Sequence, residues 1–309
     1  MSSIPVRKQD AFAVVPQPAP AGPAHPSAPA LAASAARAAA RAAKPAHATG
    51  YRRFQVPDWL MTIVASLLGF AIFVCAWAAV ASFGGRIPGP ATVWKAALVI
   101  FSDPFYQKGP NDQGIGWNVL SSLKRVGIGF GLAALVGIPL GFMIGRFRFL
   151  SDMTAPIISI LRPVSPLAWL PIGLLMFKAA NPAAIYAIFI CSLWPMIINT
   201  AAGVRQVPQD YLNVARVLNL SEWKVFTKIL FPAVLPYMLT GVRLSIGIAW
   251  LVIVAAEMLT GGVGIGFWVW DEWNNLKVEH IIIAIFTIGI IGLLLEQALM
   301  LVARRFSYS

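Results

Sequence analysis

The chain has 309 residues, 58% of them apolar and 12% charged, against roughly 45–50% and 25% in a typical soluble domain. Too little polar surface exists to coat a globule, so a polytopic membrane protein is the expected class. The net charge of +12 gathers mainly in the N-terminal tail and between apolar blocks, as topology signals do in membrane proteins, and it argues against nucleic acid as a partner.

Residues 1–55 are rich in Ala and Pro. The run "PQPAPAGPAHPSAPA" cannot bury a core and reads as a disordered cytoplasmic tail, whereas "RAAARAAK" reads as a short basic helix lying on anionic lipid. No apolar run follows the first basic residues, which argues against a cleavable signal peptide.

Residues 56–309 form the expected transmembrane domain. Six apolar blocks approach the roughly 20 residues needed to cross a bilayer: Leu60–Phe83, Val119–Ile144, Pro156–Met176, Ala183–Ala201, Tyr237–Leu259 and Ile281–Val302. Pro163, Pro166, Pro171 and Pro195 interrupt the third and fourth. Such prolines predict helices that line protein rather than lipid. With both termini cytoplasmic, the inner side holds Arg52, Arg53, Arg146, Arg148, Arg205, Arg216, Lys224, Lys228, Arg304 and Arg305. The opposite side mixes Lys with Asp and Glu, which is the pattern expected of this orientation.

Cys75 and Cys191 lie inside apolar blocks without C-x-x-C spacing and read as small buried hydrophobes. His25, His47 and His280 are scattered, so neither a metal site nor a nucleophilic triad is expected. The dipeptide Gly-Lys never occurs, so no phosphate-cradling loop is available and any ATPase must be another polypeptide. The run "GGVGIG", Gly261 to Gly266, follows an apolar block rather than a strand and predicts a flexible extracellular turn or re-entrant segment.

Charges inside apolar blocks are costly in hydrocarbon and therefore mark candidate functional positions. Arg162 stands in "SILRPVSPLAW", with two readings: an inward site that attracts an anion, or a structural partner of a helix end or carboxylate. Lys124 and Arg125 open the second block on the outer side and join Arg162 as candidate substrate-path residues. Arg243 and Glu257 are too far apart to pair on one helix, and Arg243 and Glu296 read as interfacial snorkellers.

Between the fourth and fifth blocks, "YLNVARVLNLSEWKVFTKILFP" is basic and amphipathic. Pro208 and Asp210 predict a helix start, and Tyr211, Val214 or Ala215, and Leu218 recur at helical spacing to give one apolar face. Asn219 followed by Glu222 predicts the cap of a second helix, which Pro232 and Pro236 should end. On pattern alone this is either a docking element or an ordinary interfacial loop.

The stretch resembles the cytoplasmic loop of ABC importer permeases, whose pattern is Glu-Ala-Ala, three residues, Gly, nine residues, then Ile-x-Leu-Pro. Here Asn213, Val214 and Ala215 align with the first three positions, Asn219 with the glycine, and Ile229 to Pro232 with the last four. "SLKRVGIGFGLAALVGIPLGFMIG" and "RPVSPLAWLPIGLLMF" are similar to the second and third helices of that class. "DPFYQKGPNDQGIGWNVLSSLKRV", "GVRLSIGIAWLVIVAAEML" and "GGVGIGFWVWDEWNN" resemble the nitrate/nitrite subgroup, which is related to cyanate, bicarbonate, taurine and alkanesulfonate permeases.

The resemblance implies an all-α bundle of about six transmembrane helices with the type I ABC importer permease fold. It implies a non-enzymatic inner-membrane subunit, with ATP and Mg on a partner ATPase, a second permease copy and an external substrate-binding protein. A coupling loop at about 202–235 would dock the ATPase through Tyr211, Asn213, Ala215, Arg216, Leu218, Asn219, Leu220 and Ser221. The implied cargo is nitrate or nitrite. The alternatives are the related anions on the same machine, or an ion-coupled carrier that would work without an ATPase.

Overall fold

A computed structural model describes residues 58–84 and 87–306, so the tail and its basic run lie outside the described residues. The chain divides into two units, Met1–Val64 and Ala65–Ser309. Of the first, only the opening of α1 (Asp58–Gly84) is described. The second contains the rest of α1, α2 (Pro90–Ser102), α3 (Ile115–Arg146), α4 (Arg148–Leu161), α5 (Pro166–Phe177), α6 (Ala180–Gln206), α7 (Gln209–Val217), α8 (Glu222–Val225), α9 (Phe231–Thr260), α10 (Ile265–Asn274) and α11 (Val278–Phe306).

Among the described residues five helical stretches are long and apolar enough to cross a membrane, and a bent pair raises the number to six. The expected third block is that pair. Helices α4 and α5 meet at 99° around Arg162–Pro163–Val164–Ser165, because Pro163 lacks the amide needed to continue a helix and Ser165 is held extended (ψ 134°) by the proline after it. Helix α2 was not among the expected blocks and, at 13 residues, is too short to span. Cys191 is buried as expected, whereas Cys75 is exposed.

Packing centres on α6. Helices α3 and α6 run parallel, and α3 offers a small residue every fourth position, Gly129, Ala133, Gly137, Gly141 and Gly145. Small residues at this spacing let helix backbones close up where lipid supplies no hydrophobic drive. The stripe meets Ile188, Met196, Thr200 and Val204 in turn, and a β-carbon added at Gly141 would lie 2.6 Å from Cβ of Thr200. Helix α9 returns antiparallel on a neighbouring face of α6, where the Ser245 hydroxyl donates to the Ser192 carbonyl (2.7 Å). Trp250 on α9 then donates to the Ile288 carbonyl of α11 (2.9 Å).

Pro232 and Pro236 do not end a helix. Residues Glu222–Thr260 form one continuous helical span, in which Phe226–Leu230 make a π turn and the Phe231 amide reaches back to the Phe226 carbonyl. The wider i to i−5 turn makes room for the Pro232 ring, which would otherwise clash with the Lys228 carbonyl, and Pro236 lies inside the helix that continues from it. Phe142 and Phe226 pack edge to face at 5.0 Å beside it.

Gly141→Val is expected to cost more than about 3 kcal/mol, since it separates two backbones in contact. The measurement is thermal unfolding in detergent together with the yield of monodisperse protein. Gly131→Ala, where a β-carbon meets nothing within 4 Å, should leave both unchanged.

Candidate functional site

Three features carry the chemistry. The first is a buried polar centre joining α3, α9 and α10. Glu257, three residues before the end of α9, is 1% exposed, and an unpaired carboxylate there would be prohibitive. Arg125 on α3 donates to it at 2.5 Å and holds Asn181 with its Nε (2.7 Å). Ser122 lies 2.8 Å from both carboxylate oxygens, and the Gly266 amide donates to it at 3.0 Å.

The "GGVGIG" segment is therefore neither free nor merely flexible. Gly261 and Gly262 take positive φ (77° and 90°) to turn the chain. The amides of Gly264, Ile265 and Gly266, which a helix start leaves without intrahelical acceptors, go to Asn118 (2.9 Å), Ser122 (3.0 Å) and Glu257. A β-carbon at Gly266 would sit 2.1 Å from the Val254 carbonyl oxygen. The signal for this centre was in the sequence: Asn118, Ser122 and Arg125 fall at i, i+4 and i+7 on one face of α3. Lys124, the neighbouring candidate, is exposed.

The second feature is the loop element. Pro208 precedes α7 as expected, with Leu212 and Ala215 turned inward. Tyr211 and Val214 (56% each), Leu218 (63%) and Val217 (81%) are exposed, so the outward apolar stripe uses Val214 and not Ala215. The turn after α7 has Asn219 at φ 47°, the left-handed conformation glycine takes freely and asparagine tolerates. That is why asparagine serves where the resembling pattern has glycine. The cap of α8 is Ser221, which accepts from the Lys224 amide, rather than Asn219. Leu220 is half-buried, and Arg216 donates to Asn213 (3.3 Å).

The third feature is a cavity of about 500 Å³ at the α4–α5 elbow. Trp169, Trp194, Asn199 and aliphatic side chains line it, and Arg162 is its cation. Arg162 has no carboxylate within ion-pair reach among the described residues, unlike Arg125 and unlike Arg243, which pairs with Glu296 of α11. Arg243 and Glu296 are thus partners rather than separate snorkellers. Lys124 and Arg125 do not line the Arg162 cavity, so the structure does not bring the three candidate path residues together.

A family profile described as "Binding-protein-dependent transport system inner membrane component" matches residues 137–308. The chain belongs to this permease family. A nitrate import permease of Synechocystis sp. is 47% identical over 236 residues, covering 76% of this chain and 86% of that one. A bicarbonate transport system permease of Synechococcus elongatus is 44% identical over 247 residues, with coverage of 79% and 88%. The inward-facing MetNI methionine ABC transporter shares the fold, with a TM-score of 0.53 at 15% identity over 62% of this chain and 95% of that one. The all-α importer permease expected from the sequence is thereby the correct class, and the chain is an integral inner-membrane permease subunit rather than an enzyme.

Glu257→Ala should lower the stability of the solubilised protein by about 3–5 kcal/mol, since it strands a buried guanidinium and the Gly266 amide. Ser122→Ala, which removes a neutral partner, should cost about 1–3 kcal/mol. Both are read as shifts in thermal midpoint.

Near the end of α10, Glu272 lies 3.6 Å from Lys277 and 3.1 Å from Nδ1 of His280 at the start of α11. Burial pushes its carboxyl up, but those two neighbours outweigh burial and hold it below the usual range. A carboxylate depressed on folding stabilises above its unfolded value of about 4.3 and loses that contribution as pH falls through the lower folded value. The gap in thermal midpoint between wild type and Glu272→Gln should therefore be open at neutral pH and narrow as pH falls from about 4.3 through the lower folded value.

Proposed function

We propose that this permease imports nitrate as part of an ABC importer, with bicarbonate as the second reading because relatives of both names match at similar identity. The observation that carries an anionic cargo is the Arg162 cavity, whose guanidinium has no carboxylate partner among the described residues while other arginines at membrane depth do. A planar fork of N–H donors suits a small planar oxyanion. The start of α5 faces the same cavity through Val164 and Pro166, and its dipole adds to the attraction. Arg162 is exposed rather than walled in, which keeps the well shallow enough for the anion to leave.

Two copies of the chain form the transmembrane unit, each docked on an ATPase subunit that binds ATP and Mg, with a substrate-binding protein on the far side. The loop at about 202–235 is the coupling element. Its stripe of Tyr211, Val214, Val217 and Leu218 is apolar and exposed, as a helix that lies in a partner's groove requires. Asn213, Arg216, Asn219 and Ser221 set its turn and edge, while Ala215 and Leu220 seat it on the bundle. Closure of the ATPase pair moves the loops together, and the bundles change from inward-facing to outward-facing as rigid bodies.

Arg146, Arg148, Arg205, Arg216, Lys224 and Lys228 gather at the loop end, which supports a cytoplasmic loop and cytoplasmic termini. The apolar outer face of α1 meets lipid. Arg125 serves the path as a strut because its charge is committed to Glu257, and Lys124 is the second cation offered to an entering anion.

Cells lacking their own nitrate importer but expressing this permease with its ATPase and binding protein should take up labelled nitrate only when all components are present. Excess bicarbonate, taurine or cyanate should not compete. Uptake blocked by bicarbonate moves the cargo to the second reading, and uptake without the ATPase contradicts an ABC importer. Arg162→Ala should reduce uptake at least about tenfold with assembly intact. Leu218→Asp should leave the permease in the membrane and lose the ATPase on purification, and co-purification at wild-type yield overturns the docking assignment.

A further inference from the structure

A second cavity, of about 270 Å³, adjoins the first and shares Arg162 and Ile198 with it. The first follows α6 from Cys191 to Asn199, and the second from Ile197 to Arg205. At 1.5 Å per residue the two together cover about 20 Å of helix, ending at the loop end. Thus Arg162 stands where one cavity gives way to the next, and Arg205 stands at the far mouth of the second.

The lining of the second cavity is chemically unlike that of the first. It has no tryptophan; it brings the hydroxyls of Ser151, Thr154 and Ser159 from α4 against the Arg205 side of α6. Thr154 already donates to the Leu150 carbonyl (2.7 Å), but the side-chain hydroxyls of Ser151 and Ser159 have no hydrogen-bond partner among the described residues. The carboxylate nearest in sequence, Asp152, lies 3.8 Å from Arg148, and neither Arg162 nor Arg205 has a carboxylate within ion-pair reach among the described residues. The cavity therefore offers two guanidinium groups and two free hydroxyl donors with no competing anion. A volume near 270 Å³, at ~30 Å³ per water, accommodates a small oxyanion with part of its hydration shell.

Resting on the anion-import reading above, we infer that this second cavity is an exit subsite for the transported oxyanion. Arg162 hands the anion on, the Ser151 and Ser159 hydroxyls replace the water it gave up in the tryptophan-lined cavity, and Arg205 draws it to the cytoplasmic mouth. Two weak sites sharing one cation allow passage without a deep well, because the second site lowers the barrier to leaving the first. Arg205 also sits in the last turn of α6, where its charge offsets the negative helix end that an anion would otherwise meet.

The test uses the complete transporter, with ATPase and binding protein, in proteoliposomes and labelled nitrate as probe. Arg205→Gln should lower the maximal uptake rate about tenfold while leaving the half-saturating nitrate concentration unchanged, and Arg205→Lys should restore at least half the rate. ATP hydrolysis stimulated by loaded binding protein should stay within about twofold of wild type, so that anion moved per ATP falls. A residue that merely braces the loop would lower hydrolysis and uptake together.

The paired variant Ser151→Ala/Ser159→Ala, which alters no charge near α7, should lower uptake about threefold. If Arg205→Gln does not assemble, this pair decides. Wild-type uptake by Arg205→Gln, or by the serine pair, overturns the exit subsite. If Arg162→Ala keeps wild-type uptake too, the whole cavity reading falls. Should Arg162→Ala alone lose uptake, the import path stands and only the exit subsite is lost.

Discussion

One buried carboxylate organises the end of the bundle away from the coupling loop. Glu257 must find donors or be expelled from the apolar interior. Its donors come from two separate pieces of chain, Arg125 and Ser122 on α3 and Gly266 at the start of α10, while Asn118 of α3 accepts from the Gly264 amide of that same helix start. Satisfying Glu257 thus fixes the depth of α3 against α9 and converts a glycine-rich segment into a tied helix entrance. A network of this kind is stable only when complete, which ties the three elements to a single arrangement.

From that anchor the architecture propagates toward the loop by backbone contact. The same face of α3 that carries Asn118, Ser122 and Arg125 continues as Gly129, Ala133, Gly137, Gly141 and Gly145, so polar fastening gives way to close packing along one line. Helix α6 is held on one face by that stripe and on the neighbouring face by α9. Below it, α7 rests on Leu212 and Ala215 and leaves its other apolar side uncovered. A seated inner face with a bare outer one is what distinguishes a docking helix from a core helix.

Much of this was legible in the residues. Block lengths gave the spans, lysine and arginine gave the charged end, and the pattern around Asn213 to Pro232 led to the permease class. The polar centre was missed because its partners are distant in the chain: Ser122 and Glu257 are separated by 135 positions, and one-dimensional spacing registers only partners on the same helix. Pro232 and Pro236 misled for a different reason. Proline normally ends a helix, but the π turn at Phe226–Leu230 relieves the clash at Pro232, Pro236 is carried inside α9, and no residue type announces such a turn. Pro163 and Pro166 mark a break in the third block, but residue types alone do not give its size, a bend of 99°.

The α3–α6 contact has a mechanical corollary. Two helices packed this closely, with only small residues on the α3 side of the contact, have little room to re-pack, so they resist sliding and parting and behave as a single stiff plank. One wall of both cavities is part of that plank, namely α6 from Cys191 to Arg205. The opposite wall is the elbow of α4 and α5, whose proline-broken corner lacks continuous helical hydrogen bonding. Any widening or narrowing of the cavities must therefore come from the elbow swinging against a stationary α6, as a door moves against its post.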